Sequence, residues 1–564
     1  MVSTYPKHVC RQVLSLDGIW DFCFLGEDVD LDTVDVAAAR SWDRIAVPGA
    51  FDACPAYAGR RGTAVYRTTV RTTPGQRGRL HFHGLGMWAR IVVDGEELAT
   101  VSLPYSDLWF DVPSSPSEER VITVVVDNRF DRQRVPLQEQ FFDFYAYGGL
   151  YRSVEWHQVP DLSLDRVFVD TLDPHAGSIR ASVHLHGAVP QSVDLDVCLD
   201  GGPPQHFATT PVTADGVAVL ELRVADPTPW SPACPTLHTL QVSLKDDDIT
   251  ERFGLRTVSV ADDTILINGE ALKLLGYCRH EAHAQFGPAL PLQQLVHDLQ
   301  LLRELGCNYV RGSHYPQDQR FLDLCDEMGF LVFEEALGWG QTVDHFRDPS
   351  FCAAQVEQAR LMVHKSRNHP SVIMWGFLNE GASHTAESRP LYESLVSAIR
   401  ESDSTRPVTY ASNHPMDDLN FDLVDIVSVN CYPGWYAADR EAVSPVEEIR
   451  PRLEAIMDSL ADRGLSDRPF IVTEIGAGAI YGWRDPLEAH WSEEYQAAYL
   501  GEVCEIVCTD ARIAGVALWQ FCDCRTYASG RALMRPRAFN NKGTLDEYRR
   551  PKLGFGRVKS VFTG

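Results

Sequence analysis

Between residues 14 and 260 apolar and polar positions alternate in short runs, the two-residue period of strands with one face buried. Runs such as "RIVVDGEEL" and "VTADGVAVLELRV" break at Asp94-Gly95 and Asp215-Gly216, a dipeptide that favours tight hairpin turns. One group of strands ends and another begins near Pro160, and a second join falls near Val260-Ala261-Asp262. The pattern predicts two β-sandwiches, over residues 1–160 and 161–260.

After Asp262 the rhythm changes. In "LQQLVHDLQLLRELG" residues Leu292, Leu295, Val296, Leu299 and Leu302 share one helical face, with Gly306 as the stop. The strand "NYVRGSHY" follows, then a helix around Phe321–Met328 closed by Gly329, then the strand "FLVFEEA". The remaining candidate strands are "LKLLGYC", "VIMWGFLNE", "PVTYAS", "IVSVNCY", "FIVTEIGA" and "VALWQF", giving eight short apolar runs of the kind buried on both faces. Residues 261–564 are therefore expected to form a (β/α)8 TIM barrel, whose chemistry sits at the C-terminal ends of its strands.

Composition narrows the partners. The 51 Lys and Arg against 78 Asp and Glu leave a net charge of −27, which disfavours a phosphate backbone as ligand. The N-terminal stretch carries no basic segment followed by an apolar run, and no window of about 20 apolar residues is present. The expectation is a cytoplasmic protein bound neither to nucleic acid nor to membrane. The 14 cysteines form no framework, and the close-set Cys522-x-Cys524 lacks the second pair of a zinc site, so no metal and no cofactor are expected.

Strand four ends in "WGFLNE" with Glu380, and strand seven in "IVTEIGAG" with Glu474. Two carboxylates across one barrel mouth are what glycoside hydrolysis needs: one acid protonates the leaving oxygen while the other carboxylate attacks the anomeric carbon or activates water. Asn379, just before Glu380, is placed to donate to the sugar 2-hydroxyl.

These residues sit in motifs that resemble glycoside hydrolase family two, most closely its β-glucuronidases, along almost the whole chain. "LSLDGIWDF" (Leu14–Phe22), "VPGAFD" (Val47–Asp52) and "FDFYAYGGLYRSV" (Phe142–Val154) are similar to the family's sugar-binding jelly roll. "LLGYCRHEAH", "NYVRGSHYP", "RNHPSVIMWGFLNE" and "TEIGAGAIYGW" are similar to its barrel motifs. The resemblance implies a jelly roll, an immunoglobulin-like sandwich and a catalytic barrel, with Glu380 as acid/base and Glu474 as nucleophile. It also matches Asn540-x-Lys542 to the Asn-x-Lys motif that recognises the C6 carboxylate of a glucuronide. An ammonium with an amide donor complements the one negative charge separating a uronic acid from a hexose. Less specific matches make Tyr432 a neighbour of the nucleophile, Tyr436 a uronate contact, Asp143 a reach from the jelly roll to the sugar hydroxyls, and Trp519 an apolar wall. Arg311, His280 and His314 would buttress the mouth, with Arg311 orienting Glu474.

Three departures qualify the match. The segment after strand three, "ALGWGQTVDHFRDPSF", is short for a lid loop, "NEGASH" replaces the more usual Asn-Glu-Pro, and "RALMRPRAFNNKG" brings Arg535 and Arg537 near Lys542. The extra cations would bind the same carboxylate or favour the axial 4-hydroxyl of a galacturonide. The resulting expectation is a retaining exo-β-glucuronidase working by double displacement on a small-molecule or oligosaccharide uronide, with no cofactor. Family habit points to a homo-oligomer. A β-galacturonidase, a neutral β-galactosidase, or a catalytically silent carbohydrate-binding protein on the same scaffold are the alternatives.

Overall fold

The computed structural model describes residues 4–564 other than 35, 37, 38, 40, 140–142, 438–443 and 528–534. Phe142 and the stretch 531–534 of the quoted motifs thus lie outside the described residues.

The first sandwich faces a four-stranded antiparallel sheet (Val13–Ser15, Val154–Val159, Arg77–Phe82, Leu108–Val112) against a six-stranded one centred on Thr63–Arg71 and Glu119–Asp127. Trp20, Phe22, Tyr66, Leu80, Phe82 and Trp156 fill the space between them. The second sandwich pairs three strands (Leu162–Asp173, Ser178–Gly187, Val217–Arg223) with four (Gln205–Pro211, Ser192–Leu199, His238–Ser243, Asp248–Phe253). The strict alternation of buried and exposed positions along Val217–Arg223 is the period-two pattern of the sequence made physical.

The third part is a closed barrel of eight parallel strands in chain order. They are β1 (Leu274–Arg279), β2 (Tyr309–Gly312), β3 (Leu331–Glu335), β4 (Val372–Asn379), β5 (Val408–Ser412), β6 (Val427–Asn430), β7 (Phe470–Ile475) and β8 (Ile513–Leu518). β8 starts three residues earlier than the apolar run "VALWQF" suggests and stops before Trp519, which leaves that indole on the loop at the mouth. A small meander, Val258–Ala261, Thr264–Ile267 and Glu270–Ala271, plugs the opposite end: its Ile265 and Ile267 join one apolar cluster with Leu331, Phe333, Ile426 and Ile471 from the barrel. The read join at Val260–Asp262 falls inside this plug. Helix α1 (Leu292–Glu304) buries Leu295, Leu299 and Leu302, and helix α2 (Gln319–Met328) ends at Gly329 with φ of 73°, a left-handed cap that glycine adopts without strain.

Buried ion pairs tie the parts together. Arg152 of the first sandwich donates to Glu281 at the barrel mouth at 2.8 Å and to the Pro316 carbonyl at 2.6 Å. Asp298 on α1 receives Arg279 from the end of β1 at 3.0 Å and Arg549 from the C-terminal segment at 2.9 Å, all three fully buried. Burial alone would raise the Asp298 carboxyl, but the two guanidinium groups outweigh it and hold the acid at about 2. Removing one partner of such a cluster leaves buried charge uncompensated. Asp298→Ala is expected to cost about 3–5 kcal/mol, seen as an earlier chemical-denaturation midpoint. Glu505→Ala, which breaks only the half-exposed Glu505–Arg557 pair, should cost at most about 1 kcal/mol.

Candidate active site

The C-terminal ends of the barrel strands open into a cavity of about 800 Å³ lined by Glu380, Glu474, Tyr432, Trp519, Lys542 and Asp143, among others. β4 delivers Glu380 through an irregular end. Its pairing with β5 shifts register between Gly376 and Asn379, and Leu378 and Glu380 take φ of 44° and 52°. These left-handed conformations are uncommon for residues with a Cβ and cost on the order of 1–3 kcal/mol each. The surrounding strand, buried along its whole length, holds them in place. Asn430 at the end of β6 donates to Glu380 Oε1 at 3.0 Å and to Asn379 Oδ1 at 2.9 Å, fixing both side chains.

Glu474, on β7, is held by different partners. Arg311 Nη1 donates to its Oε1 at 2.8 Å, and the Tyr432 hydroxyl donates to Oε2 at 2.6 Å. Arg311 comes from β2 and reaches three strands: both its Nε and Nη2 donate to Glu335 Oε2 of β3, at 3.0 and 2.7 Å, and Nη2 also donates to Asn379 Oδ1 of β4 at 2.8 Å. Glu474 thus accepts from a cation and a phenol. Among the described residues no cation is bonded to Glu380. Burial, then the charge of Glu474, pushes its acid up to about 8. A carboxyl raised this far keeps its proton at neutral pH, the state a proton donor needs.

The far wall is cationic. Lys542 Nζ donates to the Tyr436 hydroxyl at 2.7 Å, and among the described residues no carboxylate lies within ion-pair range of it. Arg535 lies beside the same hydroxyl at 3.4–3.5 Å and pairs with Asp143 at 2.9 and 2.5 Å. Burial, then Arg535, lowers the Lys542 ammonium below its ordinary value. Burial alone would raise the Tyr436 phenol, but Lys542 and Arg535 outweigh it and hold the phenol below its ordinary value.

The turn that carries Lys542 is built from the chain around it. Its carbonyl accepts from Gln520 N at 3.0 Å, and Gly543 N donates to Asp523 Oδ1 at 2.9 Å. A Cβ at Gly543 would stand 2.2 Å from Asp523 N, so only glycine fits there. Asp523 also accepts from buried Lys552 at 2.8 Å.

The residues read from the sequence divide into groups. Glu380, Glu474, Tyr432, Tyr436, Asp143, Trp519, Arg535 and Lys542 all line the cavity. Arg311, His280 and His314 stand behind it: His314 stacks on Trp519 with centroids 5.2 Å apart, and His280 meets the same indole edge-on at 5.4 Å. Asn379 is fully buried, and among the described residues its Nδ2 has no hydrogen-bond partner. Asn540 donates to Asp143 Oδ2 at 3.0 Å and accepts from Lys542 N at 3.3 Å, so it braces the cationic wall.

Arg537 corrects the expectation of a second arginine beside Lys542. It pairs with Glu547, at 2.9 and 3.1 Å, and donates to Asn541 Oδ1 at 3.1 Å. Glu335, Asn430 and Trp339 were not singled out from the sequence. The first two close the runs "FLVFEEA" and "IVSVNCY", so the strand-end rule applied to every strand would have found them.

The electrostatic coupling can be tested directly. Glu474→Gln removes the negative charge next to Glu380, so the Glu380 carboxyl should titrate at a lower pH than in the parent protein. Difference infrared titration of the carboxyl band reads this, and an unchanged midpoint would mean that burial alone sets it.

Comparison with known proteins agrees with this geometry. The family profile "Glycosyl hydrolases family 2, TIM barrel domain" matches residues 258–564, and "Glycosyl hydrolases family 2" matches residues 162–256. A β-glucuronidase of Paenibacillus borealis is 26% identical over 608 residues, covering 99% of this chain and 98% of that protein. The mouse β-glucuronidase is 28% identical over 484 residues, covering 80% and 72% respectively. Among solved structures, a β-galacturonidase from Eisenbergiella tayi bound to galacturonate superposes with a TM-score of 0.88 at 32% identity, over 100% of this chain and 99% of that one. A β-glucuronidase of Faecalibacterium prausnitzii gives 0.86 at 25% identity, over 99% of each chain. A barrel mouth carrying paired glutamates, on a chain matched along this length, belongs to glycosyl hydrolase family 2, and the protein is a glycoside hydrolase.

Proposed function

We propose that this enzyme is a retaining exo-β-glucuronidase that releases terminal β-D-glucuronic acid by double displacement. The observation that carries the reading is Lys542. A buried ammonium whose hydrogen-bond partner is a phenol, in the same cavity as the two glutamates, is a site awaiting a carboxylate. Such a site rejects a neutral hydroxymethyl group, because the cation would stay unpaired and desolvated.

In this reading Glu474, anchored by Arg311 and Tyr432, attacks the anomeric carbon while Glu380 gives its proton to the departing oxygen. Glu380 then takes a proton from water, which displaces Glu474 and restores the configuration. The unpartnered Nδ2 of Asn379 donates to the 2-hydroxyl, Trp519 supplies the apolar wall, and Asp143 takes a sugar hydroxyl from the side of the first sandwich. The curated relatives named above are β-glucuronidases, which supports the choice of sugar. Arg535 favours a second reading, a β-galacturonidase. It adds a second cation beside the carboxylate end, and a solved neighbour at 32% identity bears that name.

Initial rates on matched aryl β-glucuronide, β-galacturonide and β-galactoside decide between these sugars. Uronides should be cleaved far faster than the galactoside, and Lys542→Met should cut kcat/KM on the uronide by about 10–150-fold, the equivalent of about 1.5–3 kcal/mol for a hydrogen bond to a charged group. Turnover of the galactoside alone would remove the uronidase reading. The acid role sets the pH profile. Glu380 must be protonated to act, so kcat/KM should fall as pH rises through about 8. A fall centred near the ordinary value of 4.5 would mean the Glu380 carboxyl is not raised in the working enzyme. The β-anomer should appear first in an NMR time course.

A further inference from the structure

On the four-stranded sheet of the first sandwich, Leu80, Phe82, Val154 and Trp156 point into the core, so the intervening His81, Glu155 and His157 share the opposite face. His81 stands directly across from Glu155 on the neighbouring strand. Its Nδ1 is 3.4 Å from Glu155 Oε2, and His157 Nε2 is 3.0 Å from the same oxygen. His83 Nε2 is also 3.4 Å from it. Both histidine side chains of the facing pair, His81 and His157, are 3% exposed.

The hydrogen count at His81 is informative. Its Nε2 is 2.5 Å from Asp107 Oδ1, so the one N–H of a neutral ring is spent there. Asp107 is itself held by Trp109 Nε1 and Lys365 Nζ, each at 3.0 Å, and the Trp109 ring stacks on His81 with centroids 3.7 Å apart. The ring is held in place, with its Nδ1 aimed at Glu155 Oε2 at 3.4 Å. Among the described residues, buried His81 Nδ1 and His83 Nε2 have no hydrogen-bond partner. A cation relieves this arrangement.

We propose that His81, Glu155 and His157 form a binding site for one divalent transition-metal ion of zinc's class. Their ligand atoms all lie within 4.8 Å of one another. The 3.0–3.4 Å nitrogen-to-oxygen separations match the edge of about 3.3 Å spanned by tetrahedral ligands at about 2.0–2.1 Å from zinc. Asp107 behind His81 is the carboxylate that orients a metal-bound imidazole and raises its basicity. Two strands presenting alternate residues to one face supply the donors, so the ion would staple the sheet beside the helix carrying Lys365, away from the sugar cavity.

The test uses the full chain stripped with chelator and titrated with Zn²⁺ and with Co²⁺. One equivalent per chain should survive gel filtration, the Co²⁺ form should show the intense visible band of four-coordinate cobalt, and melting temperature should rise with added Zn²⁺. His81→Asn and His157→Asn should lose the retained ion. Asp107→Asn should weaken binding by about 10–100-fold. His206→Asn, an exposed histidine of the second sandwich paired to Asp196, should change nothing. Uronide turnover by the stripped enzyme should match that of the loaded one at a temperature where both are folded. No retained ion and no cobalt band in the parent chain would overturn the proposal, as would retention unchanged in His81→Asn. So would an imidazole NMR signature of His81 protonated on both nitrogens, a proton bridge between Asp107 and Glu155. If a histidine variant does not fold, the parent cobalt spectrum and Asp107→Asn still decide.

Discussion

One buried guanidinium sets the geometry of the barrel mouth. Arg311 is fully buried and bonds at once to Glu335 on β3, Asn379 on β4 and Glu474 on β7. Taking such a charge out of water costs several kcal/mol, recovered only when every donor meets a well-placed acceptor. The strand ends are therefore registered against one another by the planar fork of one side chain. A lysine, with a single point charge on a flexible stem, could not span the same set. The two glutamates differ because of this: one touches the cation directly, and the other has its carboxyl bonded to Asn430 and feels its neighbour's charge.

A second charge centre forms at the opposite wall by a different route. Lys542, Arg535, Asn540 and Asp143 come from segments outside the barrel strands, so their positions rest on turns and buried pairs. Gly543 gives the turn room, and the Asp523–Lys552 pair clamps it from behind. One cavity thus holds the paired glutamates together with a buried cationic cluster.

Most of the architecture was legible because the hydrophobic period reports it. Alternation marks sandwich strands, continuous apolar runs mark barrel strands, and the glycine stops at Gly306 and Gly329 mark helix ends. Glu380 and Glu474 were legible through the rule that barrel chemistry lies at strand ends, Lys542 and Asn540 through motif resemblance, and Arg535 as a departure from that motif. What periodicity does not encode is direction. Arg535 and Arg537 sit two residues apart, but backbone φ of 63° at Arg537 sends one to Asp143 and the other to Glu547. The cluster around Glu155 was hidden for a related reason. Its histidines lie on strands separated by more than 70 residues, and only the pairing register puts His81 opposite Glu155.

The bond between Arg535 and Asp143 joins residues 392 positions apart in the chain. During synthesis both glutamates are made before Arg535 and Lys542, so the cationic part of the cavity lining is completed only when an early-made sandwich and a late-made turn have found each other.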